Sequence, residues 1–135
     1  MSDALVAFLK TRLDEDERVA RACAGDGTWT VEGLEVYGPD LSGEVRAHAA
    51  RQDPARTLRE VEAKRALLAE YGAAVAAREE ASTVLQKTRA SGWDPIMAEL
   101  EEASAIHKRD ALLGVLRLLA TVYTDHPDYL PEWRP

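Results

Sequence analysis

The sequence contains little cysteine and no long apolar run, and both shortages exclude whole classes of protein. Cys23 is the only cysteine, so the chain can form neither an internal disulfide nor a cysteine-rich zinc site. We expect it to pack as a small apolar residue on the first helix. The longest apolar run, Leu112 to Val122, falls well short of the roughly 20 residues that span a membrane, and Arg117 interrupts it.

Aromatic residues are also scarce, at 6% of the chain. The core must therefore be built mainly from Leu, Val and Ala, and such small side chains allow helices to pack closely. A chain of 135 residues can bury about two-thirds of its unfolded surface, which suffices for a core without disulfides or a structural metal. We predict a single, mainly helical domain over residues 1–135.

Basic residues are outnumbered by acidic ones, with 17 Lys and Arg against 24 Asp and Glu and a net charge of −7. A field of this sign repels phosphate backbones and anionic lipid, so it argues against membrane binding and disfavours nucleic acid as a partner. The N-terminus carries Asp3 and only a short apolar stretch, which is not the pattern of a signal peptide. We predict an acidic, cytoplasmic protein.

Apolar residues recur every three or four positions in three segments, which is the spacing of one helix face. The first predicted helix runs from Ser2 to Ala24. Two long helices begin at Asp53-Pro54 and Asp94-Pro95, where aspartate can cap the helix and proline fits its first turn. The first of them ends near Ser91-Gly92. The second is predicted to run antiparallel to it, without a break, into Leu112–Val122, the most deeply buried segment.

The stretch between the first helix and the long helices has a different texture. Thr28–Val31, Leu34–Tyr37 and Gly43–Ala47 are rich in β-branched or aromatic residues and are separated by turn signals. We predict a small antiparallel β-hairpin or three-stranded meander there. The tail, Tyr129 to Pro135, is too aromatic for a frayed end and is predicted to dock. The expected fold class is mainly α with a small antiparallel β element.

The densest polar constellation is Asp125, His126 and Asp128. Carboxylates bind hard cations and orient imidazoles, so these residues are weak catalytic candidates for a metal-dependent or hydrolytic enzyme. Helix termination by Asp and Pro explains the same residues equally well. His48 and His107 add no metal-ligand spacing, and no cofactor motif is found, so we predict neither a metal nor a cofactor.

Arginines bracket the start of the first long helix, and Arg51, Arg56 and Arg59 are candidates for binding an anion or an acidic partner. Glutamates at 60 and 62 are interleaved with them, so helix salt bridges are the competing interpretation.

Several strings of the sequence together resemble a known family. They are Phe8-Leu9 with Arg12 to Glu17, RQDPARTLREVEAKR at 51–65, Leu116 to Ala120 with Tyr123, and DHPDY at 125–129 with EWRP at 132–135. This combination resembles an uncharacterised family of short actinobacterial and phage proteins. Relatives commonly have histidine where this chain has Gln52, and many carry a cysteine pair that is missing between Ala73 and Asp110.

The family has no assigned activity, so the resemblance implies no catalytic residues, and a zinc site of relatives cannot be carried over. It does suggest that the matched segments pack together. We therefore expect Trp133 and Tyr129 to lie against the base of the first long helix, with Arg134 reaching an acid such as Glu60. Trp133 and Arg134 thereby join the candidate binding residues.

Our leading functional prediction is a small interaction or accessory protein that acts by binding another protein. Homodimerisation through the two long helices is expected, because long amphipathic helices in a small chain often expose a spare apolar stripe. One alternative is an enzyme that uses Asp125, His126 and Asp128. Another is a nucleic-acid-linked regulator that uses the face from Arg51 to Arg65.

Overall fold

Five helices and two 3-10 turns follow one another in the computed structural model, which describes residues 2–23 and 25–135. The helices are α1 (Ser2–Ala22), α2 (Val31–Tyr37), α3 (Gly43–Arg51), α4 (Pro54–Ala90) and α5 (Ile96–Ala120). The 3-10 turns span Thr121–Tyr123 and Pro131–Trp133. The sequence prediction ended the first helix at Ala24, a residue that lies outside the described part of the chain.

The chain divides into two compact units. We call residues 2–9 with 66–135 the hairpin unit, because it holds most of α4 and all of α5. We call residues 10–65 the insert unit, because it holds the α2–α3 segment. None of the helices formed by the described residues combines the length and apolarity that crossing a bilayer requires.

In the hairpin unit, α4 and α5 run antiparallel. Gly92, with a φ of 78°, reverses the chain just beyond α4, and Arg89 donates to Glu99 at 2.7 Å across the turn. Further from the turn, Arg78 lines the same groove as Arg109, and Tyr71 the same groove as Arg117. Along the groove, residue numbers fall on α4 as they rise on α5, as expected for an antiparallel pair of helices.

The tail of the hairpin unit packs against the N-terminal helix. Phe8 is the centre of an aromatic cluster, with ring centroids 4.9 Å from Trp133 and 6.2 Å from Tyr129. Tyr129 and Trp133 also contact each other edge to face at 5.7 Å. All three rings are buried, so the tail contributes large apolar side chains to a core that has few others.

In the insert unit, Asp53 caps α4 and holds the preceding loop. Its Oδ1 accepts from the backbone N–H of Arg56 at 2.8 Å, and its Oδ2 accepts from the N–H of Trp29 at 3.3 Å. Gly27 lies beside this helix start. A Cβ added at this position would lie only 3.1 Å from the Cβ of Pro54. Gly27 also has a φ of 79°, which residues with side chains rarely adopt, so glycine suits both this turn and the close approach to α4.

The predicted β-hairpin or meander is wrong: residues 28–51 contain helices α2 and α3, and no strand occurs in the described chain. The reason is local capping. The Thr30 hydroxyl accepts from the N–H of Gly33 at 3.0 Å, and the Ser42 hydroxyl accepts from the N–H of Val45 at 3.3 Å. Each side chain satisfies a backbone donor at a helix start, and this favours a helical turn over a strand that needs a partner.

The second long helix is continuous from Ile96 to Ala120, as predicted, but it is not buried on nearly all sides. Leu116 and Ala120 are fully buried, whereas Leu118 is 58% exposed and Val122, just beyond the helix, is 68% exposed. The hairpin covers one face of α5 and leaves the opposite face in solvent, so apolar composition alone overstated its burial.

Candidate functional site

The polar cluster at residues 125–128 forms the turn that follows α5. The Nδ1 of His126 accepts from the backbone N–H of Asp128 at 3.1 Å, while the imidazole packs edge to face on Phe8 with ring centroids 5.7 Å apart. Asp125 and Asp128 are exposed. Among residues 2–23 and 25–135, no three histidine, cysteine or acidic side chains are placed to hold a metal ion. The geometry is that of a chain reversal, and a catalytic role for these residues stays a prediction.

The candidate arginines of the insert unit are exposed, and ion pairs occupy part of their face. Arg56 donates through Nε to Glu60 at 2.8 Å and through Nη1 to the carbonyl of Arg51 at 3.3 Å. Arg59 is exposed on the same helix. Glu60, the acid suggested for Arg134, is therefore engaged by Arg56, and Arg134 is exposed at the tail.

The acidic run at the middle of α1 is likewise paired within the insert unit. Arg65 bridges Asp14 and Glu17, with N–O distances of 2.7 Å to each carboxylate. These hydrogen bonds from Arg65, followed by one from Arg21, lower the pKa of Glu17, and the same two acids raise the pKa of Arg65. The run therefore anchors a helix pair and is not a free acidic surface.

The hairpin unit contains a groove of about 340 Å³ between α4, α5 and the two ends of the chain. Its basic lining is Arg78, Arg109 and Arg117, and its acidic lining is Glu79 and Asp110. Arg109 is bound by its neighbour Asp110 at 2.6 Å.

The same groove reaches the aromatic cluster, because Trp133 forms part of its wall. Trp133 is only 4% exposed, and its indole N–H has no hydrogen-bond partner among the described residues. The Nε atoms of Arg78 and Arg117 are also buried without a partner in that part of the chain. Of the candidate binding and catalytic residues named from the sequence, Trp133 is the one that lines this groove.

The tip of the hairpin carries an exposed apolar patch, which we call the hairpin tip. It consists of Trp93, Ile96, Met97 and Leu100, whose exposed fractions are 76%, 58%, 68% and 60%. Asp94 orders the turn by accepting from the N–H of Ile96 at 3.0 Å. The sequence analysis gave no role to Trp93 and did not identify this patch, because the exposure of Ile96 and Leu100 depends on the packing of the folded chain.

The insert unit has its own cavity of about 470 Å³ near Cys23, Trp29 and Tyr37. Its acid, Asp26, already accepts from the N–H of Thr28 at 2.9 Å. Cys23 lies half-buried just beyond α1, where its thiol donates to the carbonyl of Val19 at 3.6 Å. This cavity offers apolar walls but few groups that would orient a ligand.

Comparison with known proteins gives one family. The model of a family of unknown function, DUF6221, matches residues 2–135. No curated protein and no solved structure matches the chain.

Proposed function

The chain belongs to the DUF6221 family of unknown function, and we propose that it acts in the cytoplasm as a small accessory protein that binds another protein through the hairpin tip. The observation that carries this proposal is the exposure of Trp93, which is 76% accessible beside three further exposed apolar side chains. An exposed apolar patch supports a role in association, since burying it removes apolar surface from water.

The hairpin tip is built to present these side chains rather than to bury them. Ile96 and Leu100 are four residues apart on α5, and Met97 is adjacent, so the three share one exposed face of the first helical turns. The ion pair between Arg89 and Glu99 joins the two helices just behind the patch. Tryptophan is one of the residue types enriched among those that contribute most to the energy of protein–protein binding.

Charges around the hairpin tip indicate the kind of partner. Arg89 is neutralised by Glu99, and the remaining charges between positions 87 and 102 are one cation, Lys87, and three acids, Asp94, Glu101 and Glu102. The rim is therefore acidic, and it complements a partner whose apolar surface is bordered by Lys or Arg. A second copy of the chain would bring an equally acidic rim, which makes self-association at the tip less favourable.

The test is site-specific photo-crosslinking in the native host, with a benzophenone amino acid placed at Met97. A matched chain carries the same group at Tyr37, which is 89% exposed on α2 and distant from the patch in sequence. We expect a covalent adduct with another protein from position 97 and not from position 37. The adduct should be lost when Trp93→Ser is added, because the main anchor is then removed.

The mass of the adduct separates the outcomes. An adduct of twice the 14.9 kDa chain would overturn the partner proposal in favour of the homodimer predicted from the sequence. Equal adducts from both positions, or none from position 97, would also contradict it. Light scattering of the purified protein measures the same homodimer independently.

A further inference from the structure

We propose that the groove of the hairpin unit binds a small organic oxyanion, a carboxylate or phosphate ester that carries an apolar group. This site is separate from the hairpin tip and does not depend on the function proposed for it. It rests on side chains that come together from three parts of the chain: Arg78 on α4, Arg109 and Arg117 on α5, and Trp133 in the tail.

The first argument is the set of unused donors. The indole N–H of Trp133 and the Nε–H groups of Arg78 and Arg117 are buried and lack a hydrogen-bond partner among the described residues. Buried polar groups in folded proteins are almost always satisfied by protein, water or ligand. Three unpartnered donors on residues that line one groove are what an oxyanion with several lone pairs would satisfy.

The second argument is charge. The groove lining contributes three arginines against Glu79 and Asp110, a local net charge of +1 on a chain whose net charge is −7. Because Asp110 already holds Arg109 at 2.6 Å, Arg78 and Arg117 are the cations left to meet a ligand. A partly enclosed cationic site in an acidic protein selects a compact anion over a polyanion, which the rest of the surface repels.

The third argument is the apolar part of the wall. Leu5, Val75 and Leu113 line the groove alongside the arginines. The volume of about 340 Å³ is in the range of small-molecule sites, in which apolar walls hold the body of the ligand and a few polar groups fix its orientation. An inorganic ion would use the donors but leave this wall unfilled.

The test is calorimetric titration of the full chain with phenyl phosphate and, in a second arm, benzoate. We expect saturable binding of at least one of them, weaker binding of inorganic phosphate, and none of benzyl alcohol, which has the apolar body without the charge. The two arms distinguish a phosphate ester from a carboxylate. In the Trp29→Phe/Trp93→Phe double variant, Trp133 is the tryptophan that remains. Its fluorescence should change with the same midpoint as the calorimetric titration.

Three variants report on the site, and one serves as a matched control. Arg117→Gln, Arg78→Gln and Trp133→Phe should each weaken binding by about tenfold or more, the loss of one charge-assisted hydrogen bond. Arg18→Gln, at an exposed position on the insert unit, should leave it unchanged. Trp133→Phe keeps one aromatic ring in the cluster while it removes the N–H and part of the indole, so it provides a second test if an arginine variant does not fold.

The proposal is overturned if neither probe binds at millimolar concentration, or if binding survives Trp133→Phe and Arg78→Gln unaltered. Equal affinity for inorganic phosphate and phenyl phosphate would overturn the assignment of an organic ligand.

Discussion

At the scale of single residues, Asp53 links the start of α4 to the loop that contains Trp29. Its carboxylate accepts from the backbone N–H of Trp29, 24 positions before it, and from that of Arg56, three positions after it, while only 8% of the residue is exposed. The Arg56 N–H is the main cause of a lowered pKa at Asp53. Burial is the next-largest effect and opposes it, and the Trp29 N–H and the charges of Arg59 and Arg56 lower the pKa further by smaller amounts.

The lowered pKa of Asp53 predicts a pH dependence of stability. Because its folded pKa lies below its unfolded value, the carboxylate stabilises the fold at pH values above the unfolded pKa. This contribution is lost as the pH falls through the folded pKa, below about pH 4. We expect the melting temperature of Asp53→Asn to decline less between pH 6 and pH 3 than that of the unaltered chain, as measured by circular dichroism.

The exposed Asp40 supplies the control, since Asp40→Asn removes an equal charge from a surface turn. An acid decline that is the same in Asp53→Asn as in the unaltered protein would show that Asp53 does not carry this dependence.

The role of Asp53 was readable from the sequence, because Asp-Pro is a helix start and both partners of the cap lie within three residues. Its bond to Trp29 was not, since the loop that brings Trp29 back depends on the close approach at Gly27. A cap between residues three positions apart can be predicted from the sequence, whereas a hydrogen bond between residues 24 positions apart can be identified only in the folded structure.

At the scale of elements, α2 and α3 show why residues with a high strand propensity do not always form a strand. Val31, Val36 and Tyr37 favour strands, yet they lie on or at the end of α2, and Val36 and Tyr37 are 79% and 89% exposed. A strand gains its stability from a neighbouring strand, so propensity alone does not form one. The caps at Thr30 and Ser42 each join residues only three positions apart, so they need no distant partner.

The docked tail predicts a large effect of truncation. Removing Tyr129–Pro135 deletes two aromatic rings that pack on Phe8 and exposes its ring to water. We expect the free energy of unfolding to fall by at least about 3 kcal/mol, the lower end of the cost of truncating one buried tryptophan to alanine. Urea denaturation followed by circular dichroism measures this.

A shorter truncation is the matched control. Deleting only Arg134 and Pro135, which are both exposed, should change the unfolding free energy by less than about 0.5 kcal/mol. If the two truncations were equally stable, the aromatic cluster would not contribute the packing energy inferred from its geometry.

At the scale of the whole molecule, charge decides between partners. The net charge of −7 opposes a nucleic-acid surface, and two cations of the Arg51–Arg65 face are neutralised locally, Arg56 by Glu60 and Arg65 by Asp14 and Glu17. We expect no mobility shift with duplex DNA or RNA at 50 mM salt and micromolar protein. A shift that weakens as salt rises would instead support the regulator alternative.

The α4–α5 hairpin also shows how much of the candidate sites could be predicted from the sequence. The two Asp-Pro starts and Gly92 define a turn near residue 92, and reflecting the sequence about that turn places Arg78 opposite Arg109. That much could have been found without a structure. The enclosure of Trp133 among these arginines could not, because it depends on where the tail returns, and the exposure of Ile96 and Leu100 depends on where the covering layer stops.

The antiparallel register of α4 and α5 also limits how the length of the hairpin can change. Between Glu79, at the groove, and Ala90, at the end of α4, the helix rises by about 16 Å at 1.5 Å per residue. Adding seven residues to each helix would lengthen the hairpin by about 10 Å and keep its faces aligned, whereas adding two to each would rotate the tip by about 200°. The reach of the tip can therefore change only in nearly whole-turn steps, with matched insertions on both sides of Gly92.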